Sequence, residues 1–176
     1  MSLHLAHPKC FAAMLLCAIT LAPHSTAASD PVKLAIFDFE FEDMSAAASA
    51  GKIAASDSQH LAEVTNSVRD LFEKSGRYNL VDVGSADAAE VKARTLHRCD
   101  GCDAAIAQQL GAEQSFVGVV KRITRTEYTV RYQIRDASTG AVLSSADSGL
   151  RMGADYSWSR GAIRLIKDRL LEKAQQ

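Results

Sequence analysis

Between Arg98 and Val120 a turn, a short helix and an apolar strand follow one another with hardly a spare residue, and this limits the folds open to the chain. Arg98-Cys99-Asp100-Gly101-Cys102 reads as the turn. Asp103 to Leu110 reads as a compact helix whose apolar contacts are Ile106 and Leu110. Gly111 stands where a helix C-terminus takes a glycine. The run Phe116-Val117-Gly118-Val119-Val120, within a strand from Ser115 to Ile123, is apolar enough to be buried. A helix that hands directly to a buried strand points to an α/β fold.

The rest of the sequence supplies more of the same. Val32 to Phe41 is expected to be one central strand. Lys33, Ala35, Phe37, Phe39 and Phe41 would share one face, and Val32, Leu34, Ile36, Asp38 and Glu40 the other. Residues 44–56 are small and aperiodic and read as a loop. Asp57 then caps a helix to Ser75, with Leu61, Val64, Val68, Leu71 and Phe72 on one stripe and Gly76 as its stop. Tyr78 to Asp82 is a short strand, and Ser85 to Leu96 a weaker helix facing Ala88, Val91 and Leu96 inward.

The C-terminal half reads as a meander. Tyr128, Val130, Tyr132 and Ile134 alternate with Thr129, Arg131, Gln133 and Arg135. Asp136 to Gly140 forms a hairpin loop and Ala141 to Leu150 pairs back. Trp158, Ala162, Leu165, Ile166 and Leu170 stripe a closing helix. Two strands joined through a long helix imply a parallel pair, whereas the later hairpins are antiparallel. The expectation is a single-domain α/β sandwich with one mixed sheet of about five strands.

The N-terminus sets the compartment. Cys10 to Ala22 is an apolar run too short to span a bilayer; Pro23 breaks it, and Ser25-Thr26-Ala27 offers small residues to a signal peptidase. Residues 1–27 are therefore expected to be a signal peptide cleaved near Ala27 or Ala28, and residues 28–176 the mature domain. An uncleaved anchor helix is the alternative. Leu15-Leu16-Cys17 resembles part of a lipobox, but Leu16 is too large for the residue before a lipidated cysteine, and Cys17 lies inside the apolar run. A soluble periplasmic product is expected, with no stable membrane insertion after cleavage. The chain has 20 Lys and Arg against 21 Asp and Glu; losing the leader removes Lys9 and no acid. The slightly acidic product has no global attraction to nucleic acid or anionic lipid.

Four segments recur together elsewhere: Lys33 to Glu40, Ser75 to Asp82, Cys99/Cys102 ahead of Ile106 to Ala112, and Arg135 to Gly140. They resemble an uncharacterised family of exported bacterial proteins, a domain of unknown function. More distantly they are similar to the amino-terminal domain of TolB and to CsgG-like curli-secretion lipoproteins. The resemblance covers essentially the whole mature chain. It implies an α/β sandwich that serves envelope assemblies as an interaction module, with an envelope protein as partner. The lipid tether of the lipoprotein members does not carry over.

Four groups of side chains remain as candidates for chemistry or binding. Cys99 and Cys102 in an exported protein default to a disulfide that staples a tight turn. A catalytic dithiol is the alternative, since a helix N-terminus lowers a thiol pKa. The preceding segment reads as helix, however, and Pro31 is the only proline of the mature chain. Covalent haem would need histidine where Asp103 stands. Zinc would need further ligands, with His97 near and His60 far off in sequence.

Asp38, Glu40 and Glu42 point the same way off the first strand, with Asp43 following. They suit a hard cation or acid/base work, and the plainer reading is solvated acids where a strand leaves the sheet. Arg131 and Arg135, with Lys121, Arg122 and Arg125, form a basic stripe fit for an anion or acidic partner, or simply keep a sheet face wet. Trp158 opens the last helix and packs inward, with carbohydrate stacking as the alternative. No hydrolase, P-loop or zinc-protease motif occurs. The expected function is a non-enzymatic accessory that needs no cofactor and no metal. A thiol–disulfide redox protein, or a binder of small anions or metal, are the other readings.

Overall fold

The first strand is broken in two. In the computed structural model, which describes residues 30–45, 54–86, 91, 95–124, 126–149 and 158–172, β1 spans Val32–Ile36 and β2 spans Glu40–Asp43. Both lie parallel to β4, Gln114–Arg122. Ile36 is opposite Phe116, but Glu40 is opposite Val119. Four steps along one strand thus meet three along the other, and one extra residue is inserted at Phe37-Asp38-Phe39. Because strand side chains alternate, an insertion of one residue exchanges the two faces. Leu34 and Ile36 enter the larger core, and beyond the insertion Phe39 and Phe41 do so, while Ala35 and Phe37 enter a smaller core on the opposite face. The single face expected for Ala35, Phe37, Phe39 and Phe41 is corrected accordingly.

Three groups hold this insertion. The Phe39 ring lies flat over Gly118 of β4, where a Cβ would come within 2.3 Å of the ring. The Phe39 N–H donates to Thr65 Oγ1 at 2.9 Å, and the Thr65 hydroxyl donates to the Leu61 carbonyl. Arg69 donates to the Ile36 carbonyl at 3.0 Å and to Asp38 Oδ1 at 3.1 Å. Thr65 and Arg69 both belong to α1, Ala55–Lys74, and flank its apolar stripe of Leu61, Val64, Val68 and Phe72.

The elements then follow the expected order. β3, Tyr78–Val81, lies parallel to β1 on the side away from β4. A 3-10 turn over Val83–Ser85 and another over Leu96–Arg98 stand at the two ends of the helix expected for 85–96; residues 87–90 and 92–94 lie outside the described set. So do the leader 1–27 and most of the loop expected over 44–56. Next come α2, Cys102–Gln109, then β4, β5 over Tyr128–Asp136 and β6 over Val142–Asp147, paired antiparallel as a meander. α3, Trp158–Ile166, runs on into one π-helical stretch, Lys167–Leu171. The mixed sheet is ordered β3-β1-β4-β5-β6, with β2 also beside β4.

Each face of the sheet has its own cover. α1 and α3 cover the side carrying Phe116, Val120, Tyr132 and Ile134; there Phe72 meets Phe116 edge-to-face at 5.3 Å, and Phe116 stacks on Tyr132 at 5.8 Å. α2 covers the other side, where Ile106 and Ala107 meet Ala35, Phe37 and Val117. The buried Ser115 hydroxyl donates to Asp103 Oδ2 at 2.6 Å and ties α2 to β4. Asp57, expected to be an N-cap, sits inside the first turn of α1. Ala54 caps the helix without a side-chain bond, and the Asp57 carboxylate instead accepts from Arg122 at 2.8 Å.

Gly118→Ala is expected to lower the unfolding free energy by about 3 kcal/mol, the upper part of the usual overpacking range, because the Phe39 ring has β4 backbone directly beneath it. Urea denaturation measures this. A loss under about 0.5 kcal/mol would show that the ring is free to shift.

Candidate functional site

The inserted residue leaves space beside it. Where β1 and β3 end, a cleft of about 670 Å³ opens between α1, the insertion and the two 3-10 turns. Its lining includes Phe37 to Glu40 from the insertion, Arg69 and Glu73 from α1, Leu80 to Gly84 from the end of β3, and Val91 and Leu96. The site stands at the carboxyl ends of parallel strands, beside the central strand from which the chain crosses first to one side and then to the other. In open α/β sheets that is where ligands are received.

Of the expected acids, only Asp38 and Glu40 reach the cleft, and from different directions. Asp38 is exposed at the rim, bonded to Arg69 of α1. Glu40 points to the α2 side: its Oε1 accepts the Leu96 N–H at 2.7 Å, and its Oε2 accepts the His97 N–H at 2.8 Å and contacts His97 Nδ1 at 2.5 Å. One carboxylate thus closes the N-terminus of a 3-10 turn whose first residue, Leu96, forms part of the cleft wall. Glu42 shares that direction but pairs with Arg98 at 2.8 Å and Lys121 at 2.9 Å, outside the cleft. Asp43 turns to the other face and Arg122. The common direction expected for Asp38, Glu40 and Glu42 is corrected by the insertion. Among the described residues no three His, Cys, Asp or Glu side chains converge as metal ligands would.

The Cys99–Cys102 pair lies on the far side of the same turn. The Sγ atoms are bonded across a Cα separation of 5.7 Å, within the usual range. Gly101 between them has φ of 91°, a left-handed conformation that glycine adopts without a steric penalty. Both cysteines are packed against the smaller core. Arg135 reaches over this turn, donating to the Gly140 carbonyl at 2.8 Å and lying 3.4 Å from Asp100 and 3.6 Å from Asp103.

The basic stripe does not form as one surface. Lys121 is paired with Glu42. Arg122 points through the opposite face, under Asp43, Asp57 and the Tyr128 hydroxyl, with its guanidinium 4.8 Å from the Phe41 ring centroid. Arg125 lies outside the described residues. Arg131 alone is exposed, opposite Asp147 of β6 in register. Trp158 is fully buried, stacked on Phe41 at 5.7 Å and beside Tyr128 at 5.1 Å; its Nε1 finds no acceptor among the described residues.

Sequence reasoning missed Thr65, Arg69 and Gly118, and weighed His97 only as a zinc ligand. Thr65 and Arg69 do flank the helix stripe, and an isolated glycine within a buried strand signals a close approach. No sequence signal ties His97 to Glu40.

With this geometry in view, the comparisons place the chain. A family model described as protein of unknown function (DUF2380), named DUF3280, matches residues 32–170. The chain belongs to the DUF3280 family. Solved structures similar to this DUF3280 chain include the LpoB C-terminal domain from Salmonella enterica. It is 15% identical, with 73% of this chain and 87% of that one covered and a TM-score of 0.48. TolB from Acinetobacter baumannii is 18% identical, covering 74% of this chain and 25% of that one, at 0.44. The PelC dodecamer from Paraburkholderia phytofirmans is also 18% identical, covering 81% and 87%, at 0.44.

Acid sensitivity follows from the carboxylates around the DUF3280 sheet. Partial burial alone would raise the Glu42 pKa, but hydrogen bonds from Lys121 and Arg98 and the nearby charges of Lys121 and His97 hold it below its ordinary 4.5. Asp136 opens the β5–β6 loop. The Ser138 hydroxyl, the Thr139 N–H and hydroxyl and the Ser138 N–H all donate to it, and they lower it from 3.8 to about 2. A carboxylate with a depressed folded-state pKa adds stability above its unfolded value and loses it as pH falls through the folded one. The urea midpoint is therefore expected to drop between about pH 4.5 and 2, and Asp136→Asn to flatten the part between 3.8 and about 2. An unchanged slope in that variant would contradict the assignment.

Proposed function

We propose that this protein is a non-enzymatic accessory of the bacterial envelope, exported to the periplasm, whose work is to hold another protein. One observation carries the reading: Glu40, Glu42, Asp103 and the two cysteines, side chains with the capacity for chemistry, are committed to building the fold. Glu40 closes a turn, Glu42 joins Arg98 and Lys121, Asp103 fastens Ser115, and Cys99 is bonded to Cys102. Among the described residues, surface suited to a partner remains open. β3 and β6 are the ends of the sheet order, Val142 and Leu143 of β6 are about half exposed, and the cleft lies beside β3. Free strand edges receive partner strands by backbone pairing. The apolar leader and a disulfide in a short loop both support an oxidising, exported setting.

A thiol–disulfide redox role is the second reading, favoured by Cys102 at the N-terminus of α2. One experiment separates the two. A photoreactive amino acid placed at Leu143 or at Asn79, both exposed, in cells making the full-length protein is expected to give a discrete adduct with one envelope protein. The Cys99→Ala/Cys102→Ala form is expected to keep that adduct while losing about 2 kcal/mol of stability, the loop-closure value for so short a span. No adduct at either position, together with ready reduction in glutathione buffers and thiol-oxidase activity, would overturn the proposal.

A further inference from the structure

We infer that the cleft beside α1 and β3 seats an extended segment of the partner that carries an arginine or lysine between apolar residues; this rests on the protein-holding role proposed above. The floor is apolar, made by Phe37, Leu80, Val81 and Leu96. The rim is charged, and among the described residues its charges are not balanced. Asp38 and Arg69 answer one another, and Glu40 is engaged by His97 and the turn it closes. Glu73 on α1 and Asp82 after β3 have no cationic partner among the described residues; the Asp82 carboxylate accepts there only the Gly84 N–H, at 2.9 Å. Two exposed carboxylates from different elements thus stand over an apolar floor. That surface attracts a cation attached to an apolar body and repels an anion.

The neighbouring strand argues for a peptide over a free amine. β3 is an end of the sheet order, so no described strand pairs its outer N–H and C=O groups, which an added strand would take. An extended chain there would send alternate side chains over the rim. A volume of about 670 Å³ holds a few side chains but not a folded element.

The test uses the full exported chain and a fluorescein-labelled, amidated heptapeptide of alternating valine and threonine with one central arginine, read by anisotropy at low ionic strength. A sibling with central glutamate and free hexylamine are the comparisons. The arginine peptide is expected to bind about tenfold tighter than its sibling, the size of effect two exposed ion pairs can give. E73Q/D82N, whose thermal midpoint should be unchanged, is expected to remove most of that preference, and D147N on β6 to leave it. Equal binding of the two peptides, an intact preference in E73Q/D82N, or hexylamine binding as tightly as the peptide would each overturn the inference. An adduct from Leu143 without the peptide preference would sink the cleft assignment and leave the protein-holding role standing. The preference without an adduct at either position would do the reverse.

Discussion

The Phe39 ring lying on Gly118 is the contact from which the rest of the molecule follows. β4 has one position without a side chain in the middle of a buried run, and the ring fills that position from the neighbouring strand. With the ring there, β2 can pair with β4 only one residue out of step with β1. The shift exchanges the faces, so that Phe41 reaches Trp158 in the larger core while Glu40 and Glu42 turn to the α2 side. An insertion in a parallel pair leaves backbone groups unpaired, at a cost comparable to lost hydrogen bonds. Thr65 and Arg69 of α1 supply the missing partners. The same insertion, Phe37 to Glu40, forms part of the cleft wall.

Polar contacts finish what packing begins. Arg122 gathers Asp43, Asp57 and Tyr128 under the aromatic cover of Phe41, and joins β2, β4, β5 and the first turn of α1. Glu40, the Cys99–Cys102 bond and Arg135 fix the turn between Leu96 and Asp103 from three sides. Leu96, a wall of the cleft, is therefore held by groups that a sequence reader would nominate for chemistry. Their rigidity is what a binding surface requires, because a preformed site loses less entropy when it is occupied.

Much of this was legible in the residues. The period-two alternation from Tyr128 to Ile134, the stripe from Leu61 to Phe72, the helix ahead of Gly111 and the parallel crossover between the first two strands all follow from local rules. What escaped was the half of the first strand beyond Phe37. Alternation assumes that no residue is inserted, and nothing in the run Phe37-Asp38-Phe39 announces that one is. The signal lay in another segment, in Gly118 between Val117 and Val119, and the link between them is a tertiary contact. The acids were misread for the same reason: their direction depends on the phase of a strand that changes phase. The basic stripe also failed on phase, since Arg122 and Lys121 are adjacent on β4 and face opposite sides.

The central claim is that Phe39 and Gly118 act as one unit that sets the register. A double-mutant cycle with Phe39→Ala, Gly118→Ala and both together, followed by urea denaturation, tests it most directly. With the ring removed there is nothing for the new Cβ to strike, so Gly118→Ala should cost little in the Phe39→Ala background. A coupling energy above about 1 kcal/mol is predicted. Additive losses, equal in both backgrounds, would contradict the account.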